Sequence, residues 1–271
     1  VDLKTPEGLK VVRDLVRVSD VVIDNFGTGV MERLGLGYEQ LRHIKPDICM
    51  LSLGAFGRTG PMKDYTGYHS AVSFFSGVSA VTGYKDGRPR IMGAFLPDIW
   101  AGSQAFRAIV TALHQRGLTG HGQFIDASMV EVFMQLIPDA LMNYTMNGHE
   151  PARRGNRDAL RAPQGVYRCL GWDAWVAVSV DTEEEWQALC TVLDSPELVR
   201  DPRFATRKAR HRHHDELDTI ITRWSRCHTH REAARLLQVA GVPAVPCFNP
   251  RDLLMESHLR KRRMVVFIDH P

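Results

Sequence analysis

Leu96-Pro97-Asp98-Ile99-Trp100-Ala101-Gly102 is the stretch that decides the fold, because it ends one apolar run and opens a helix. Small and apolar residues then recur at helical spacing: Ala101, Ala105, Ala108, Ile109, Ala112 and Leu113. A face lined with alanine lets a helix pack close to its neighbours. Asp98 lies in the N-cap region, where a carboxylate either caps the backbone or is held as a reactive anion by the helix N-terminus.

Short β-branched runs followed by glycine-rich turns precede this helix. The run Asp20–Asp24 predicts a buried strand and is followed by the turn Asn25–Gly29. The run Ile48–Leu53 predicts a second strand and is followed by the loop Gly54–Pro61, and Phe124–Ala127 predicts a third strand. Strands that alternate with helices indicate an α/β domain, and open parallel sheets bind ligands at the carboxyl ends of their strands.

The second half of the chain has a different pattern. Between Gly148 and Gln164 the sequence is rich in arginine, proline and glycine, and a hairpin follows at Val166–Val180. Helices with capping signals and a proline-containing strand at Val242–Phe248 then indicate an α+β arrangement. We therefore predict a large domain over residues 1–148, a small α+β domain over 149–248 and a return segment toward the large domain over 249–271.

Three further elements are predicted from local patterns. Residues 68–81 are expected to form one helix, and Ser128 is expected to cap a long helix that kinks at Pro138 and runs to Met146. The last apolar run, Met264–Ile268, predicts a final strand.

Composition limits the class of protein. The 271 residues are 44% hydrophobic and 24% charged, with a net charge of +3, which does not favour a nucleic-acid partner. We find no apolar run long enough to cross a bilayer. The five cysteines are widely spaced without a Cys-x-x-Cys pair, which indicates reduced thiols and a cytoplasmic protein. Because the pattern at Val1 starts abruptly, we expect the chain to be part of a longer protein.

Several familiar catalytic motifs are missing from the sequence. It contains neither a Gly-x-Gly-x-x-Gly nor a Walker loop for nucleotides, and no Gly-x-Ser-x-Gly elbow for a serine nucleophile. The histidines at 211, 213 and 214, and the run Cys227-His228-x-His230, match no standard zinc spacing, so no metal is predicted. The residues alone thus indicate an α/β domain with one well-placed carboxylate and two glycine-rich loops.

The order of several short motifs resembles that of the class III CoA-transferases, the group of the formyl-CoA:oxalate, crotonobetainyl-CoA:carnitine and benzylsuccinate enzymes. The motifs include Val21-Val22-Ile23-Asp24-Asn25-Phe26, Glu32-Arg33-Leu34-Gly35-Leu36-Gly37-Tyr38, Gly57-x-Thr59-Gly60-Pro61, Gly67-Tyr68, Asp98-x-x-Ala101-Gly102 and Thr119-Gly120-x-Gly122-Gln123. The resemblance implies a Rossmann-like large domain, a smaller α+β domain and an interlocked homodimer. It also implies that family members have strands upstream of Val1 and continue past Pro271.

The resemblance further implies roles for individual residues. Asp98 matches the catalytic aspartate, and Lys4 and Arg33 match basic residues near the CoA phosphates. The remaining matched residues would contact CoA or its thioester: Asn25, Phe26, Gly27, Gly67, Tyr68 and His69. His69 stands where the family usually has an acidic residue. The stretch 157–162 replaces the glycine-run loop of the formyl-CoA enzyme, which argues against oxalate as the substrate.

The implied reaction moves coenzyme A from an acyl-CoA to a small carboxylic acid through an aspartyl-CoA intermediate, without a metal, nucleic acid or membrane. Two alternatives stay open. The α-methylacyl-CoA racemases share the fold and use a histidine and an aspartate as proton carriers, but their Gly-His-Asp motif differs from Gly67-Tyr68-His69. A non-catalytic CoA-binding subunit of a hetero-oligomer is the other alternative.

Overall fold

The computed structural model describes residues 1–93 and 95–270, which form two compact units, Val1–Gly155 and Asn156–Pro271. Residue 94, inside the stretch that leads into the Asp98 helix, and residue 271, at the end of the predicted return segment, lie outside the described residues. None of the helices described combines the length and apolarity needed to cross a bilayer.

The first unit has a parallel sheet, as the sequence predicts. Its elements are α1 (Pro6–Arg17), β1 (Val21–Asp24), α2 (Val30–Arg33), α3 (Tyr38–Ile44), β2 (Cys49–Gly54), α4 (His69–Phe75), α5 (Val78–Val81), α6 (Leu96–Thr119), β3 (Phe124–Ser128), α7 (Met129–Met134) and α8 (Pro138–Asn147). The three strands pair in the order β1-β2-β3 with β2 in the centre. The register places Asp24 opposite Ser52 and Ser52 opposite Asp126.

Local sequence explains how these elements begin and pack. Thr5 caps α1 by accepting a hydrogen bond from the Gly8 amide, and Pro6 occupies the first helical turn. In α6, Ala101 and Ala112 are buried, which confirms the predicted small-residue face. Two separate apolar clusters form the core: one contains Val16, Met31, Leu36, Leu41, Ile48 and Met50, and the other Val72, Val78, Val130 and Phe133.

Three predicted elements differ from the structure. The helix expected over 68–81 divides into α4 and α5, because Gly77 has a φ of 82° that ends the helical path. The helix expected after Ser128 breaks into α7 and α8, since the residue before Pro138 avoids the α conformation. Residues 264–268 form no strand, and the described residues contain no strand paired with them.

The second unit is α+β, in agreement with the prediction. Its elements are β4 (Gln164–Arg168), β5 (Trp175–Ser179), α9 (Glu183–Val192), a 3-10 helix (Pro196–Arg200), α10 (Arg207–Arg212), α11 (His214–Ser225), α12 (His230–Val239), β6 (Ala244–Cys247), α13 (Pro250–Met255) and α14 (Ser257–Lys261). The three strands are antiparallel in the order β4-β5-β6, so β6 is an edge strand. One large apolar cluster includes Trp186, Phe204, Leu217 and Ile221.

The division between the units lies after Gly155, downstream of the boundary that the sequence predicts at Gly148. Arg153 donates a hydrogen bond to the carbonyl of Ala80, and the amide of Gly155 donates to the carbonyl of Gly83. These bonds tie residues 153–155 to the first unit, and the clustering assigns everything from Asn156 onward to the second. A return of residues 249–271 toward the large domain stays a prediction.

Candidate active site

Asp98 lies in the first turn of α6 but does not cap the helix. Phe95 is the N-cap residue, with a φ of 60°, and α6 has no side-chain cap. The Asp98 side chain is exposed, and no hydrogen bond or ion pair within residues 1–93 and 95–270 engages its carboxylate. The Asp98 carboxylate is therefore accessible to a ligand, and the positive end of the helix dipole favours its anionic form. A reactive carboxylate needs this accessibility.

Residues 67–69 lie beside the loop after β2 and beside the start of α6. A Cβ on Gly67 would come within 2.9 Å of the Ala55 side chain and 3.1 Å of the Phe56 ring, so this position has room only for glycine. Tyr68 is exposed and precedes α4. His69 is half-buried, and its ring lies 5.0 Å from the ring of Phe95, three residues before Asp98.

The predicted CoA-contacting turn follows β1 directly. Asn25, Phe26 and Gly27 are all exposed. The amide of Phe26 donates to Oδ1 of Asp24 at 3.1 Å, and the Phe26 carbonyl accepts a hydrogen bond from Nη1 of Arg58 at 2.6 Å. Thus an arginine in the loop after β2 holds the turn after β1.

Arg58 belongs to a polar cluster, which we call the Arg58 cluster, formed with Asp24, Ser52 and Asp126. Its Nη2 pairs with Oδ1 of Asp24 at 2.6 Å, and its Nε donates to Oγ of Ser52 at 2.6 Å. Ser52 in turn donates to Oδ2 of Asp24 at 2.6 Å. The backbone amide of Arg58 donates to Oδ1 of Asp126 at 2.8 Å. The cluster therefore joins the carboxyl ends of all three strands of the parallel sheet.

Lys4 and Arg33, the predicted phosphate contacts, are exposed cations. Arg33 ends α2, and its Nη1 lies 3.0 Å from where a Cβ on Gly29 would be. Lys4 precedes α1, and its backbone amide bonds to Asp2. Neither side chain has an ion-pair partner among the described residues, so both charges are available to an anionic ligand. No hydrogen bond or ring contact in the described part of the chain joins Lys4 to another predicted site residue.

The sequence reasoning missed Arg58, Ser52 and Asp126 as site residues. Arg58 is the variable residue of the Gly57-x-Thr59 motif, and Ser52 and Asp126 lie within predicted strands. A signal was nonetheless present, because each parallel strand carries a polar residue near its carboxyl end. Such residues meet at one edge of the sheet, where an arginine from a loop can bind them.

The second unit, taken by itself, contains another polar cluster around Asp218 of α11. Tyr167 donates to Oδ1 of Asp218 at 3.0 Å, Nδ1 of His214 lies 3.1 Å from the same oxygen, and Arg157 binds Oδ2. Burial alone would raise the pKa of Asp218, but the bonds from His214, Arg157 and Tyr167 outweigh it and hold the pKa below its usual value. Burial and, after it, the negative charge of Asp218 and its hydrogen bond with the phenol raise the pKa of Tyr167 well above normal, although Arg157 opposes this shift.

The histidines and cysteines form no metal site that the structure reveals. Within the described residues no group of three or more His, Cys, Asp or Glu side chains is arranged to hold a metal ion. All five cysteines are free thiols. Burial raises the pKa of Cys169 to about 11 and of Cys190 to about 12, so both stay protonated near neutral pH.

The chain is similar in sequence to known proteins. The sequence profile described as CoA-transferase family III matches residues 1–271. The chain is 32% identical over 271 residues to succinyl-CoA–D-citramalate CoA-transferase of Chloroflexus aurantiacus, covering all of this chain and 67% of that protein. It is 33% identical over 268 residues to succinate–glutarate CoA-transferase of Agrobacterium fabrum, covering 99% of this chain and 66% of that protein.

A solved structure is similar to nearly all of this chain. The crystal structure of a CAIB/BAIF family protein from Brucella suis superposes with a TM-score of 0.90 at 31% identity, covering 97% of this chain and 69% of that one. The chain spans about two thirds of the length of the curated relatives it matches.

Proposed function

Since this chain belongs to CoA-transferase family III, we propose that the protein containing it transfers coenzyme A from an acyl-CoA to a small carboxylic acid, with Asp98 as the nucleophile. The observation that carries the assignment of Asp98 is its exposed carboxylate in the first turn of α6, without a partner in the described residues. A carboxylate bound only for structure would have its oxygens engaged by neighbouring amides or cations.

The reaction balances as two exchanges at Asp98. Its carboxylate attacks the thioester carbonyl and expels CoA thiolate, which leaves a mixed anhydride. The thiolate then attacks the aspartyl carbonyl and releases the first acid as its carboxylate, which leaves an aspartyl-CoA thioester. The acceptor carboxylate repeats these steps in reverse order, so that new acyl-CoA forms and the Asp98 carboxylate is regenerated. Carboxylates are weak nucleophiles in water, so the site must exclude water and hold the thiolate close.

The other predicted residues bind and orient CoA. Arg33 and Lys4 are exposed cations without an ion-pair partner in the described residues, which suits them to the phosphates of CoA; phosphate binding is remote from the chemistry and supplies positioning energy. The Asn25–Gly27 turn and residues 67–68 would line the path to the thioester. Backbone amides of the glycine-rich loops are suited to stabilise the oxyanion that forms on the attacked carbonyl.

Trapping the aspartyl-CoA adduct tests the proposal. The full-length gene product is mixed with acyl-CoA donors, beginning with succinyl-CoA, and with acids beginning with glutarate and citramalate, because two relatives are named for these substrates. We expect an intact-mass increase of one CoA, mapped to the Asp98 peptide and removed by hydroxylamine. Transfer that proceeds unchanged in Asp98→Ala would contradict the nucleophile assignment.

An α-methylacyl-CoA racemase is the second candidate, and the contact between His69 and Phe95 favours it. This contact holds the His69 imidazole beside the start of the Asp98 helix. Racemisation at an α-carbon needs two proton carriers, here the His69 imidazole and the Asp98 carboxylate. Solvent deuterium would then appear at the α-carbon of a 2-methylacyl-CoA and would disappear in His69→Ala. Absence of exchange together with CoA transfer would exclude the racemase.

The proposed assembly is an interlocked homodimer in the cytoplasm. Exposed apolar side chains on α6, among them Ile99, Phe106 and Val110, support a surface that another chain covers. The five free thiols support a reducing compartment. Light scattering of the full-length protein should give twice the chain mass, and a monomer would contradict the proposal.

A further inference from the structure

We propose that Arg58 is a positioning residue that sets the affinity for acyl-CoA by fixing the Asn25–Gly27 turn. The inference rests on the proposed function, since it assumes that this turn contacts CoA. It goes beyond that function by assigning the conformation of the turn to one partly buried arginine and by naming the backbone donor that this arginine orients.

Three acceptors from different parts of the chain each bind one nitrogen of the Arg58 guanidinium. They are Oδ1 of Asp24, Oγ of Ser52 and the carbonyl of Phe26, each at 2.6 Å. Only 12% of the Arg58 side chain is exposed. With its charge paired to Asp24 and each guanidinium nitrogen already donating inside the protein, Arg58 is poorly placed to bind a phosphate directly, unlike the exposed Arg33, which has no ion-pair partner in the described residues.

Both backbone polar groups of Phe26 are engaged in the Arg58 cluster. Its amide donates to Asp24 and its carbonyl accepts from Arg58, so the dihedral angles on either side of this residue are fixed. In a trans peptide the carbonyl of one residue and the amide of the next point in opposite directions. Because the Phe26 carbonyl faces Arg58, the amide of Gly27 faces away from it.

The Gly27 amide is therefore directed toward open space. Apart from Gly27 and its two chain neighbours, no atom would lie within 4 Å of a Cβ built at Gly27, and no acceptor for the Gly27 N–H occurs in residues 1–93 and 95–270. We assign this amide as a donor to an acceptor oxygen of CoA, either a phosphate oxygen or an amide carbonyl. Arg58 acts on the ligand only through the Phe26–Gly27 peptide.

The loop that carries Arg58 is itself held from β3. The Asp126 carboxylate accepts from the Arg58 amide at 2.8 Å and from the Thr59 hydroxyl at 3.4 Å. Gly57, with a φ of 81°, lets the backbone turn around this carboxylate. The arginine is thus anchored at its backbone and its guanidinium, which is the arrangement that a positioning residue needs.

Binding of CoA to variants of the full-length protein, measured by calorimetry, tests the proposal. We expect Arg58→Met to raise the Kd for CoA and the KM for acyl-CoA by about ten-fold or more, the scale of one lost charge-assisted hydrogen bond. The KM for the acid should change by less than about two-fold, whereas a general loss of folded protein would lower the apparent kcat and leave both KM values unchanged. Arg58→Lys should recover only part of the affinity, since a single ammonium cannot serve three acceptors in a fixed fork.

Two further variants keep the result interpretable. Arg42→Met removes an arginine from the exposed ion pair with Glu39 and should leave the Kd for CoA unchanged. Gly27→Pro removes the amide assigned as the donor, and its effect should not add to that of Arg58→Met, because both act on one hydrogen bond.

Each result has a clear reading. Wild-type affinity in a folded Arg58→Met protein, or strictly additive effects of the two changes, would overturn the inference. If Arg58→Met does not fold, unchanged affinity in Arg58→Lys overturns it instead. Wild-type protein that binds CoA without transferring it would contradict the proposed function. In that case the Kd values for CoA of the Arg58 variants would still test the role of Arg58. Wild-type protein that does not bind CoA would overturn both.

Discussion

Arg58 in the first unit and Arg210 in the second are both largely buried, and each binds a carboxylate and at least one backbone carbonyl. Arg58 in the first unit binds Asp24 and the carbonyl of Phe26. Arg210 in the second unit has a side chain only 1% exposed; it binds Glu183 with Nη2 at 2.6 Å. It also donates to the carbonyls of Ala162 and Phe204, at 2.9 and 3.1 Å. The chemistry of the two guanidiniums is the same.

The surroundings of the two arginines differ. Arg210 lies within the large apolar cluster, and its guanidinium is 5.0 Å from the centre of the Trp186 ring. Arg58 lies at the edge of a sheet, and one of its acceptors belongs to an exposed turn. An arginine that binds a carboxylate and backbone carbonyl groups therefore supports an apolar core in one unit and, in the proposed role of Arg58, orients a ligand-binding turn in the other. Substitution of Asp98 in the first unit should therefore lower activity more than stability, and substitution of Arg210 in the second unit should mainly lower stability.

The largest effect is expected at Asp98, in the first unit. Asp98→Ala should lower kcat/KM for CoA transfer by about a thousand-fold or more, because the covalent intermediate cannot form. The free energy of unfolding should change by no more than about 1 kcal/mol, since only the interaction with the helix N-terminus is lost. Steady-state rates and urea unfolding measure the two effects. An Asp98→Ala protein that keeps its activity but has a lower free energy of unfolding would contradict this prediction.

Arg210→Met should have its main effect on stability. It leaves the Ala162 and Phe204 carbonyls without their donor, while Glu183 is exposed enough to regain water. We expect the free energy of unfolding to fall by about 2–4 kcal/mol. Tryptophan fluorescence follows this unit well, because four of the five tryptophans lie in it.

Arg223→Met is the matched control for Arg210→Met. Arg223 is exposed on α11 and has no ion pair among the described residues, so its replacement should leave the unfolding curve nearly unchanged. Equal effects of the two changes would mean that the contacts of Arg210 add nothing to stability.

A pair of leucines compares apolar packing in the two units. Leu217 is completely buried in α11, and Leu217→Ala should cost about 2–5 kcal/mol. Leu118 is exposed at the end of α6, and Leu118→Ala should change stability by less than about 0.5 kcal/mol. Urea unfolding of both variants measures the difference. A large loss at Leu118 would instead indicate that another chain covers this helix in solution.

The smallest predicted effect depends on pH and concerns Asp218. The folded-state pKa of Asp218 lies below its ordinary 3.8, so the carboxylate stabilises the fold above about pH 4, and this stabilisation is lost as the pH falls through the folded-state pKa. Asp218→Asn should cost about 1–2 kcal/mol at pH 7, and the gap from wild type should shrink below pH 4. Glu184→Gln, at an exposed carboxylate, should show no such trend. A gap that is constant down to pH 3 would contradict the shifted pKa.

The sequence was a good guide to what depends on neighbours along the chain and a poor one to what depends on distant contacts. The caps at Thr5 and Ser128, the parallel strands and the helix of Asp98 follow from local residue types. Polar residues near the strand ends marked the edge of the sheet, but the local pattern did not single out Arg58, because its partners Asp24 and Asp126 lie 34 and 68 residues away. Such pairing depends on strand order and register, which the local pattern does not contain.

The row Asp24–Ser52–Asp126 across the parallel sheet has a consequence for how the protein folds. A slip of one residue in either strand pair would present Ile23, Leu51 or Ile125 to the guanidinium in place of a polar partner. The misaligned sheet would then hold a buried arginine without its acceptors, at a high cost in free energy. The contacts of Arg58 thereby favour the native strand register over its neighbours. The turn that Arg58 holds acquires its binding geometry only when all three strands are in this register.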